Sequence, residues 1–347
     1  MKNKVYLIIS LFSIWGCNIS KQEDYSVQKI ENIELSPIKT LNRISDTILI
    51  GQMSAINVED NIIMLAESSK SRILVTDTNF NLRYILGNTR GAGPGEFNHV
   101  FSPIIRNNKI YAYDQGNQRI NIFNKTKGEF IKSIKLADRI SSTTYDFFLD
   151  KENNIYFPTD PEKDGKVFLK LDSNGVIIKK FGNTLLKADN IAEQTNSNYR
   201  ELAVENDRII TIATSLGIVE LFDLEGNKIS SFDISNYEPI KTTEKLVKED
   251  AKNNPEQTSI LNLSVYVRGN EIFVPIADRS TQDVNSITQV LVFNWSDKYC
   301  KLSKKISFKT NKDDNGQICM VLFPTRDKKY VYMQGLVTKQ LYVFKMP

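Results

Sequence analysis

The chain has 347 residues, with 45 Lys and Arg, 41 Asp and Glu and a single His, which leaves a net charge of +4. This balanced charge, with no polybasic run, argues against binding to nucleic acid and against electrostatic binding to a membrane surface. One His and three scattered Cys are too few for a zinc site of ordinary composition. We therefore expect no metal and no cofactor.

The amino terminus, MKNKVYLIISLFSIWGC, combines a basic start, an apolar run from Val5 to Trp15 and a cysteine. The apolar run is too short to span a bilayer comfortably and is typical of a signal peptide. Ile14-Trp15-Gly16-Cys17 resembles a bacterial lipobox, in which the cysteine becomes the lipidated first residue. We expect a signal peptide at 1–16, a lipidated tether at 17–24 and an outer-membrane lipoprotein of the cell envelope. A plain secreted protein is the alternative.

From residue 25 onward the chain repeats a unit of four strands, rich in Ile, Val, Phe and Tyr. The second strand of each unit is the easiest to recognise. Its copies begin at Ile62, Ile110, Ile155, Ile209, Ile272 and Tyr330, and read IIMLA, IYAYD, IYFPT, IITIA, IFVPI and YVYMQ. A repeat of roughly 40–50 residues with four strands is typical of a β-propeller blade. The sequence therefore predicts an all-β, six-bladed β-propeller over 25–347, with a seven-bladed ring and a β-sandwich as alternatives.

The sixth unit lacks a fourth strand, because the chain stops at Pro347. Val27–Leu35, VQKIENIEL, has the composition of a strand and belongs to no other unit. We therefore expect this amino-terminal strand to pair with Gln340–Lys345 and to close the ring. Closure hides strand edges that would otherwise promote aggregation.

The connections of a propeller alternate between two faces. We call one the short-turn face, because its hairpin turns are short: Glu59–Asn61, Asn107–Lys109, Asp172–Gly175, Asp223–Asn227 and Gly269–Glu271. The opposite, long-loop face carries the longer connections: Gly87–Phe97, Asp160–Lys166, Gly182–Tyr199, Ser235–Ser259 and Ala277–Ile287. Long loops on a rigid scaffold are where binding usually occurs, so we expect the site on the long-loop face.

Two of the long connections have alternative interpretations. The segment GNTRGAGPGEF, Gly87–Phe97, is either a tight crossing between blades or a lip that contacts a ligand through Arg90 and Glu96. It lacks the GK[ST] of a phosphate loop. Glu238–Gln257 has the composition of a helix, capped by Thr242 or Thr243, and is either a lid or a solvated insertion.

Candidate ligand-binding residues follow from this topology. They are Arg90, Glu96, His99, Asp114, Arg119, Asp160, Tyr199, Arg200, Asp278 and Arg279. Tyr145, Tyr199, Arg200 and Tyr266 are expected near the central channel. His99 is the single histidine, which favours a packed polar residue over a catalytic one, and no catalytic residue is assigned. Cys300 and Cys319 fall in different blades, so we expect no disulfide between them.

The blade units that end in Asp, together with GAGPGEF after the first blade, resemble the TolB-like six-bladed β-propeller lipoproteins of Gram-negative bacteria. They are also similar to NHL-type propellers, in which a comparable Gly-Pro-Gly-Glu-Phe segment precedes the next blade. The resemblance covers about residues 25–347. It implies a propeller fold and an envelope location, but no established activity. Some NHL-type relatives are lyases that use a metal and several histidines, which this chain lacks.

The sequence therefore favours a monomeric, non-enzymatic binding module that presents its long-loop face to a protein, peptide or glycan. Its contact with the membrane is expected through the lipid on Cys17 alone. The alternative is a hydrolase or lyase that acts on a saccharide or peptide, with carboxylates at the mouth of the channel. A purely structural envelope subunit is a third interpretation.

Overall fold

A computed structural model describes residues 29–136, 146–159, 165–187, 198–253, 264–277, 287–314, 318–335 and 337–347. Within these ranges the chain forms 27 strands, and all but a small hairpin belong to six blades around a central channel. The predicted all-β, six-bladed propeller with four-stranded blades is thus confirmed. The predicted Tyr145 and the signal peptide with its tether lie outside the described residues.

Four short strands precede the first blade. They are β1 (Glu31–Leu35), β2 (Pro37–Leu41), β3 (Arg43–Ser45) and β4 (Ile48–Leu49). The last two form the small hairpin. The first two belong to blades at the other end of the chain, as described below.

The first four blades are meanders of consecutive antiparallel strands. Blade one contains β5 (Ala55–Glu59), β6 (Ile62–Glu67), β7 (Arg72–Asp77) and β8 (Leu82–Gly87). Blade two contains β9 (Val100–Arg106), β10 (Lys109–Asp114), β11 (Arg119–Asn124) and β12 (Phe130–Lys135). Blade three contains β13 (Phe148–Leu149), β14 (Ile155–Pro158), β15 (Lys166–Leu171) and β16 (Ile177–Asn183). Blade four contains β17 (Arg200–Glu205), β18 (Arg208–Ala213), β19 (Ile218–Asp223) and β20 (Lys228–Asp233).

The last two blades follow a helix, α1 (Ile240–Asn253). Blade five contains β21 (Tyr266–Arg268), β22 (Glu271–Ala277), β23 (Ile287–Ser296) and β24 (Tyr299–Phe308). Blade six contains β25 (Ile318–Pro324), β26 (Tyr330–Gly335) and β27 (Leu341–Lys345). One pair of residues, Ile287 and Ile318, links these two blades into a continuous sheet.

The ring is closed by the amino-terminal segment, but not by the strand that the sequence pattern favoured. β2 pairs antiparallel with β27 and supplies the fourth strand of blade six. β1, which falls within the predicted Val27–Leu35, instead pairs parallel with β24 and adds a fifth strand to blade five. The prediction of an amino-terminal strand that pairs with the carboxyl-terminal strand is confirmed, and its assignment to Val27–Leu35 is wrong. Proline is tolerated at the first position of a strand, which is where Pro37 stands.

The core lies between neighbouring blades, because the second and third strands are buried on both faces. All six residues of β6 are buried, whereas β8 at the rim of the same blade is mostly solvent-accessible. Between blades three and four, the rings of Phe168, Phe181 and Phe222 pack with centroids 5.2–6.0 Å apart. Such ring pairs add to the hydrophobic stabilisation of the interface.

Aspartates at the ends of third strands shape the turns that follow, as the sequence predicts. The Asp77 carboxylate accepts hydrogen bonds of 2.9 Å from the backbone N–H groups of Asn79 and Asn81. Asp172 accepts the equivalent bonds in blade three from Asn174 and Val176. A side-chain hydrogen bond from Asn81, together with these backbone bonds, lowers the pKa of Asp77, and the backbone bonds lower the pKa of Asp172. The short side chain thus substitutes for a backbone acceptor in the turn.

Gly226 provides a test of how closely the blades pack. It lies in the turn between β19 and β20 with φ +73°, and a Cβ there would stand 2.5 Å from Cγ of Phe181 in blade three. We expect Gly226→Ala to destabilise the fold by about 3 kcal/mol, from backbone strain and overpacking together. Gly269 has φ +61° but nothing within 4 Å of the position that a Cβ would take, so Gly269→Ala isolates the strain. Equal losses in urea-induced unfolding would contradict the packing argument.

Helix α1 occupies the predicted Glu238–Gln257 segment. It begins at Ile240, so neither Thr242 nor Thr243 is its cap, contrary to the prediction. Ile240 and Val247 are buried in a cluster shared with blades four and five, and the Glu244 carboxylate accepts a hydrogen bond from the Gly217 N–H. In the described part of the chain, no helix is long and apolar enough to cross a membrane.

Candidate binding site in the central channel

The glycine-rich segment is held in place by Arg119 and Asp114. The Arg119 guanidinium donates hydrogen bonds to the carbonyl oxygens of Ala92, Gly93 and Glu96 at 2.8–3.1 Å, and its Nε lies 3.0 Å from the Asp114 carboxylate. Asp114 is fully buried and also accepts the Asn98 N–H. Both residues thereby fasten the crossing from blade one to blade two.

Arg119→Met should therefore destabilise the protein. We expect a loss of about 2–4 kcal/mol, because three backbone carbonyls and a buried carboxylate each lose one donor. Arg90 is exposed in the same segment, so Arg90→Met is a matched control with an expected change within about 0.5 kcal/mol. The measurement is chemical denaturation of both variants. A similar loss in the two would show that Arg119 does not anchor the segment.

Arg90, Glu96 and His99 lie together around the same crossing. The Arg90 Nε donates to Asn98, and its Nη2 lies 3.2 Å from Nε2 of His99. The Glu96 carboxylate accepts the Gly93 N–H at 2.8 Å. These contacts support the interpretation of a tight crossing. The ligand-binding role of these side chains stays a prediction.

The other predicted residues do not gather into one site. The guanidinium of Arg200 is buried inside blade four against Glu220, at 2.6 Å. Tyr199 is half-buried, and its carbonyl accepts a hydrogen bond from the Thr214 N–H. Asp160, Asp278, Arg279 and Cys17 lie outside the described residues. Cys300 is a buried free thiol, and burial raises its pKa.

A cavity of about 760 Å³ occupies the central channel, and all six blades contribute to its wall. Its lining comes mainly from the first strand of each blade. Aromatic side chains line part of it, namely Phe101, Phe148, Tyr266 and Phe323. The volume lies within the range of small-molecule sites, and a wall of apolar groups with a few polar ones is usual for such sites. The predicted position of Tyr266 in the channel agrees with the structure.

Charged side chains converge where the channel opens on the short-turn face. They include Glu59, Arg106, Glu205, Arg268 and Arg326, and four of these are the last residue of a first strand. Lys151 and Asp207 also line the cavity and pair with each other at 3.6 Å. Because the six first strands run in the same direction along the channel, their final residues meet at one end. The sequence analysis did not identify these residues, since it weighed loop length and not the ends of the first strands.

Arg268 is the most constrained of these cations. Its Nε and Nη1 donate to the carbonyls of Pro324 and Val267, both at 2.7 Å, and its guanidinium stacks over the Phe323 ring at 4.6 Å. Burial, with a further contribution from the positive charge of Arg326, lowers the pKa of Arg268 to about 10. The group therefore stays charged at neutral pH, while the surroundings disfavour that charge.

Arg326 connects the two carboxylates of this mouth. It lies 3.3 Å from Glu59 and 3.7 Å from Glu205, and its side chain is 59% exposed. Glu205 also accepts the Gly269 N–H at 3.1 Å. Burial raises the pKa of Glu59, and the charge of Arg326 opposes that effect. Arg326 thus bridges two carboxylates at this mouth instead of forming a single ion pair.

A second group of acids lies further along the channel towards the long-loop face. Burial raises the pKa of Asp146, and a hydrogen bond from Ser102 opposes the shift. Burial and the charge of Asp146 together raise the pKa of Glu201 well above its usual range. Burial and the Asp146 carboxylate also raise the pKa of Tyr266. Burial thus disfavours the ionised forms of all three groups.

In the residues that the structure describes, no three His, Cys, Asp or Glu side chains are grouped as ligands for a metal ion. The prediction that no metal or cofactor is bound stays a prediction.

A comparison with known protein families agrees with the observed fold. Residues 17–268 match the model of the family DUF5128, described as a 6-bladed beta-propeller. The match covers more than half of the chain, so the chain belongs to this family. The resemblance to TolB-like and NHL-type propellers is confirmed only as far as the propeller itself. No curated protein matches the sequence.

Several solved structures share the fold at low sequence identity. A member of the duf4221 family from Bacteroides vulgatus has a TM-score of 0.56 and 11% identity, with 91% of this chain and 98% of that chain covered. The β-propeller domain of Myceliophteria_thermophila Cps50 (Swd1) has a TM-score of 0.54 and 9% identity, covering 90% and 100%. A Bacteroides fragilis protein described as exported has a TM-score of 0.52 and 15% identity, covering 79% and 80%. At these identities the likeness extends to the fold alone.

Proposed function

We propose that the protein is a lipid-anchored binding module of the cell envelope, and that its propeller binds a small saccharide or peptide in the central channel. The observation that carries this proposal is the 760 Å³ cavity, with its aromatic wall and its charged mouth. The blades hold that wall on strands, and a rigid wall lowers the entropic cost of binding. The long-loop face, favoured by the sequence pattern, is retained as the surface for a larger protein partner.

The envelope location rests on the first 17 residues. A basic start, an apolar run and a lipobox-like segment ending at Cys17 favour export and lipidation. Several acyl chains on one residue give a durable anchor, because each buried CH₂ contributes about 0.8 kcal/mol. We expect the full-length protein to fractionate with the outer membrane and Cys17→Ala to leave it. A Cys17→Ala protein that still partitions with membranes would contradict the anchor.

The channel is tested by a variant that fills it. Ile104 is part of the cavity wall, whereas Ile131 is 45% exposed on the outer strand of the same blade. We expect ligands from a panel of short saccharides and peptides to raise the melting temperature of the parent and of Ile131→Trp, but not of Ile104→Trp. Ligands that still stabilise Ile104→Trp and fail with Arg90→Ala would place the site on the long-loop face.

A second candidate function is hydrolysis or elimination on a saccharide or peptide. Asp146 favours this alternative, because a channel-lining carboxyl group whose pKa is raised by burial is suited to general acid catalysis. Turnover of a glycan or peptide panel by the parent, with loss of turnover in Asp146→Asn at retained stability, would support the enzyme. Binding without turnover in both proteins would favour the binding module.

A further inference from the structure

The mouth on the short-turn face has an excess of positive charge. Three arginines and two glutamates converge there, and Arg326 lies within 4.0 Å of both glutamates. Among the residues that the structure describes, no carboxylate lies that close to Arg106 or Arg268. The ion pairs of the mouth therefore leave two guanidinium groups facing the channel without a carboxylate in direct contact, although Glu59 acts on both, and Glu205 on Arg268, from further away.

The geometry of these two groups favours a bound anion. Backbone carbonyls and the Phe323 ring fix the orientation of Arg268 before any ligand arrives. Its Nη2 has no hydrogen-bond partner in the described part of the chain. Arg106 donates through Nη2 to the Leu149 carbonyl at 3.3 Å, a long bond that leaves its other donors available. A guanidinium held in one orientation loses little entropy when it binds a carboxylate with two parallel bonds.

The balance of charge also limits the anion. With both glutamates ionised, these five side chains carry one positive charge in excess, which a single carboxylate neutralises. Of the other charged groups of the lining, Lys151 and Asp207 pair with each other at 3.6 Å, and the Asp150 carboxylate accepts hydrogen bonds from Glu152 N–H, Asn154 N–H and the Tyr156 hydroxyl. A dianion such as phosphate would instead be repelled by Glu59 and Glu205. Further into the channel, burial disfavours negative charge, as the raised pKa values of Asp146 and Glu201 indicate, while the aromatic wall suits an uncharged ring.

We propose that Arg106 and Arg268 bind the carboxylate of a small monoanionic ligand at the short-turn mouth, with the uncharged, ring-bearing body of the ligand lying along the aromatic wall. This inference rests on the proposed function, since it names the chemical class that the channel accepts. It also assigns the recognition of the ligand to the face opposite the long loops.

Two probes carry the carboxylate that peptide and acidic saccharide ligands share. Hippurate has the carboxylate and amide of a peptide terminus, and glucuronate has the carboxylate of an acidic saccharide. Each is paired with a neutral counterpart, hippuramide and methyl glucoside, and inorganic phosphate serves as the dianion. In calorimetric titrations we expect at least one carboxylate to bind about tenfold or more tightly than its neutral counterpart and than phosphate. Tighter binding of hippurate would indicate a peptide-type ligand, and tighter binding of glucuronate would indicate a saccharide-type ligand.

Three variants test the assignment to residues. Arg268→Met and Arg106→Met are each expected to weaken carboxylate binding by about tenfold or more. Glu59→Gln removes a negative charge and releases Arg326, so it is expected to tighten binding about threefold or more. Arg208→Met is the matched control, because Arg208 lies on the same face but is paired with Asp297 at 2.8 Å. If Arg268→Met fails to fold, Arg106→Met and Glu59→Gln still test whether the carboxylate binds at this mouth.

The outcomes separate this inference from the proposed function. Neutral probes that bind as tightly as carboxylates, with loss in Ile104→Trp, would overturn the carboxylate site and leave the channel as a binding site. Weaker carboxylate binding in Glu59→Gln would also overturn the inference. No binding of any probe, or binding that Ile104→Trp leaves unchanged, would overturn the assignment to the channel as well.

Discussion

Removal of the strand that closes the ring is expected to cost the fold most of its stability. A chain that starts at residue 42 lacks β2, so the edge of β27 is exposed and blade six has three strands. We expect a loss on the order of 5 kcal/mol or more, which is comparable with the whole stability of an ordinary domain. The measurement is urea-induced unfolding, with a chain that starts at residue 25 as the parent.

Two shorter truncations serve as controls. A chain that starts at residue 31 keeps both β1 and β2 and should unfold like the parent. A chain that starts at residue 36 loses β1 with the buried Leu35, and an intermediate loss of about 2–3 kcal/mol is expected from that side chain. If the chain starting at residue 42 were as stable as the one starting at residue 36, β2 would not be the closing strand.

The buried ion pair of blade four should give the second large effect. Nη1 of Arg200 lies 2.6 Å from the Glu220 carboxylate, and the two side chains are 0% and 4% exposed. Arg200→Met leaves the carboxylate in the interior with Lys228, at 3.3 Å and half exposed, as its remaining cationic partner among the described residues. We expect a loss of about 3–5 kcal/mol in the free energy of unfolding, because a buried charge without its partner is costly.

The double variant Arg200→Met/Glu220→Met tests the reason for that loss. Since it removes both charges, it should be more stable than Arg200→Met alone, and thermodynamic coupling between the two sites should be evident. Both are measured by the same unfolding experiment. Losses that simply add would indicate that packing, rather than the uncompensated charge of Glu220, accounts for the effect.

Most strands could be predicted because each blade repeats the same local pattern. The copies that begin at Ile62, Ile110 and Ile209 lie within observed second strands, since burial on both faces demands a continuous apolar run. The strand that closes the ring was harder to predict. Its sequence, PIKTL, starts with a proline and is mostly accessible to solvent. The preceding segment, ENIEL, looks just as much like a strand. Local pattern cannot decide which of two adjacent strands joins which blade.

The candidate site was less predictable than the fold. Loop length directed attention to Arg90 and Glu96, whose described contacts lie within the crossing between blades. Arg106 and Arg268 stand 162 positions apart in the sequence and line the same mouth of the channel because both end a first strand. The sequence alone shows that the first strand of four blades ends in a charged residue. This pattern indicates a charged site only once the first strands are known to surround one central channel.

The parallel strand β1 has a mechanical consequence for a chain held at its amino terminus. Only Ser36 separates β1 from the closing strand β2, so a pull on the tether reaches the five residue pairs between β1 and β24 first. The hydrogen bonds between β1 and β24 of blade five therefore resist the pull before any force reaches the pairing of β2 with β27. Under the proposed anchoring at Cys17, we therefore expect β1 to take up a pull from the membrane before the closing seam does.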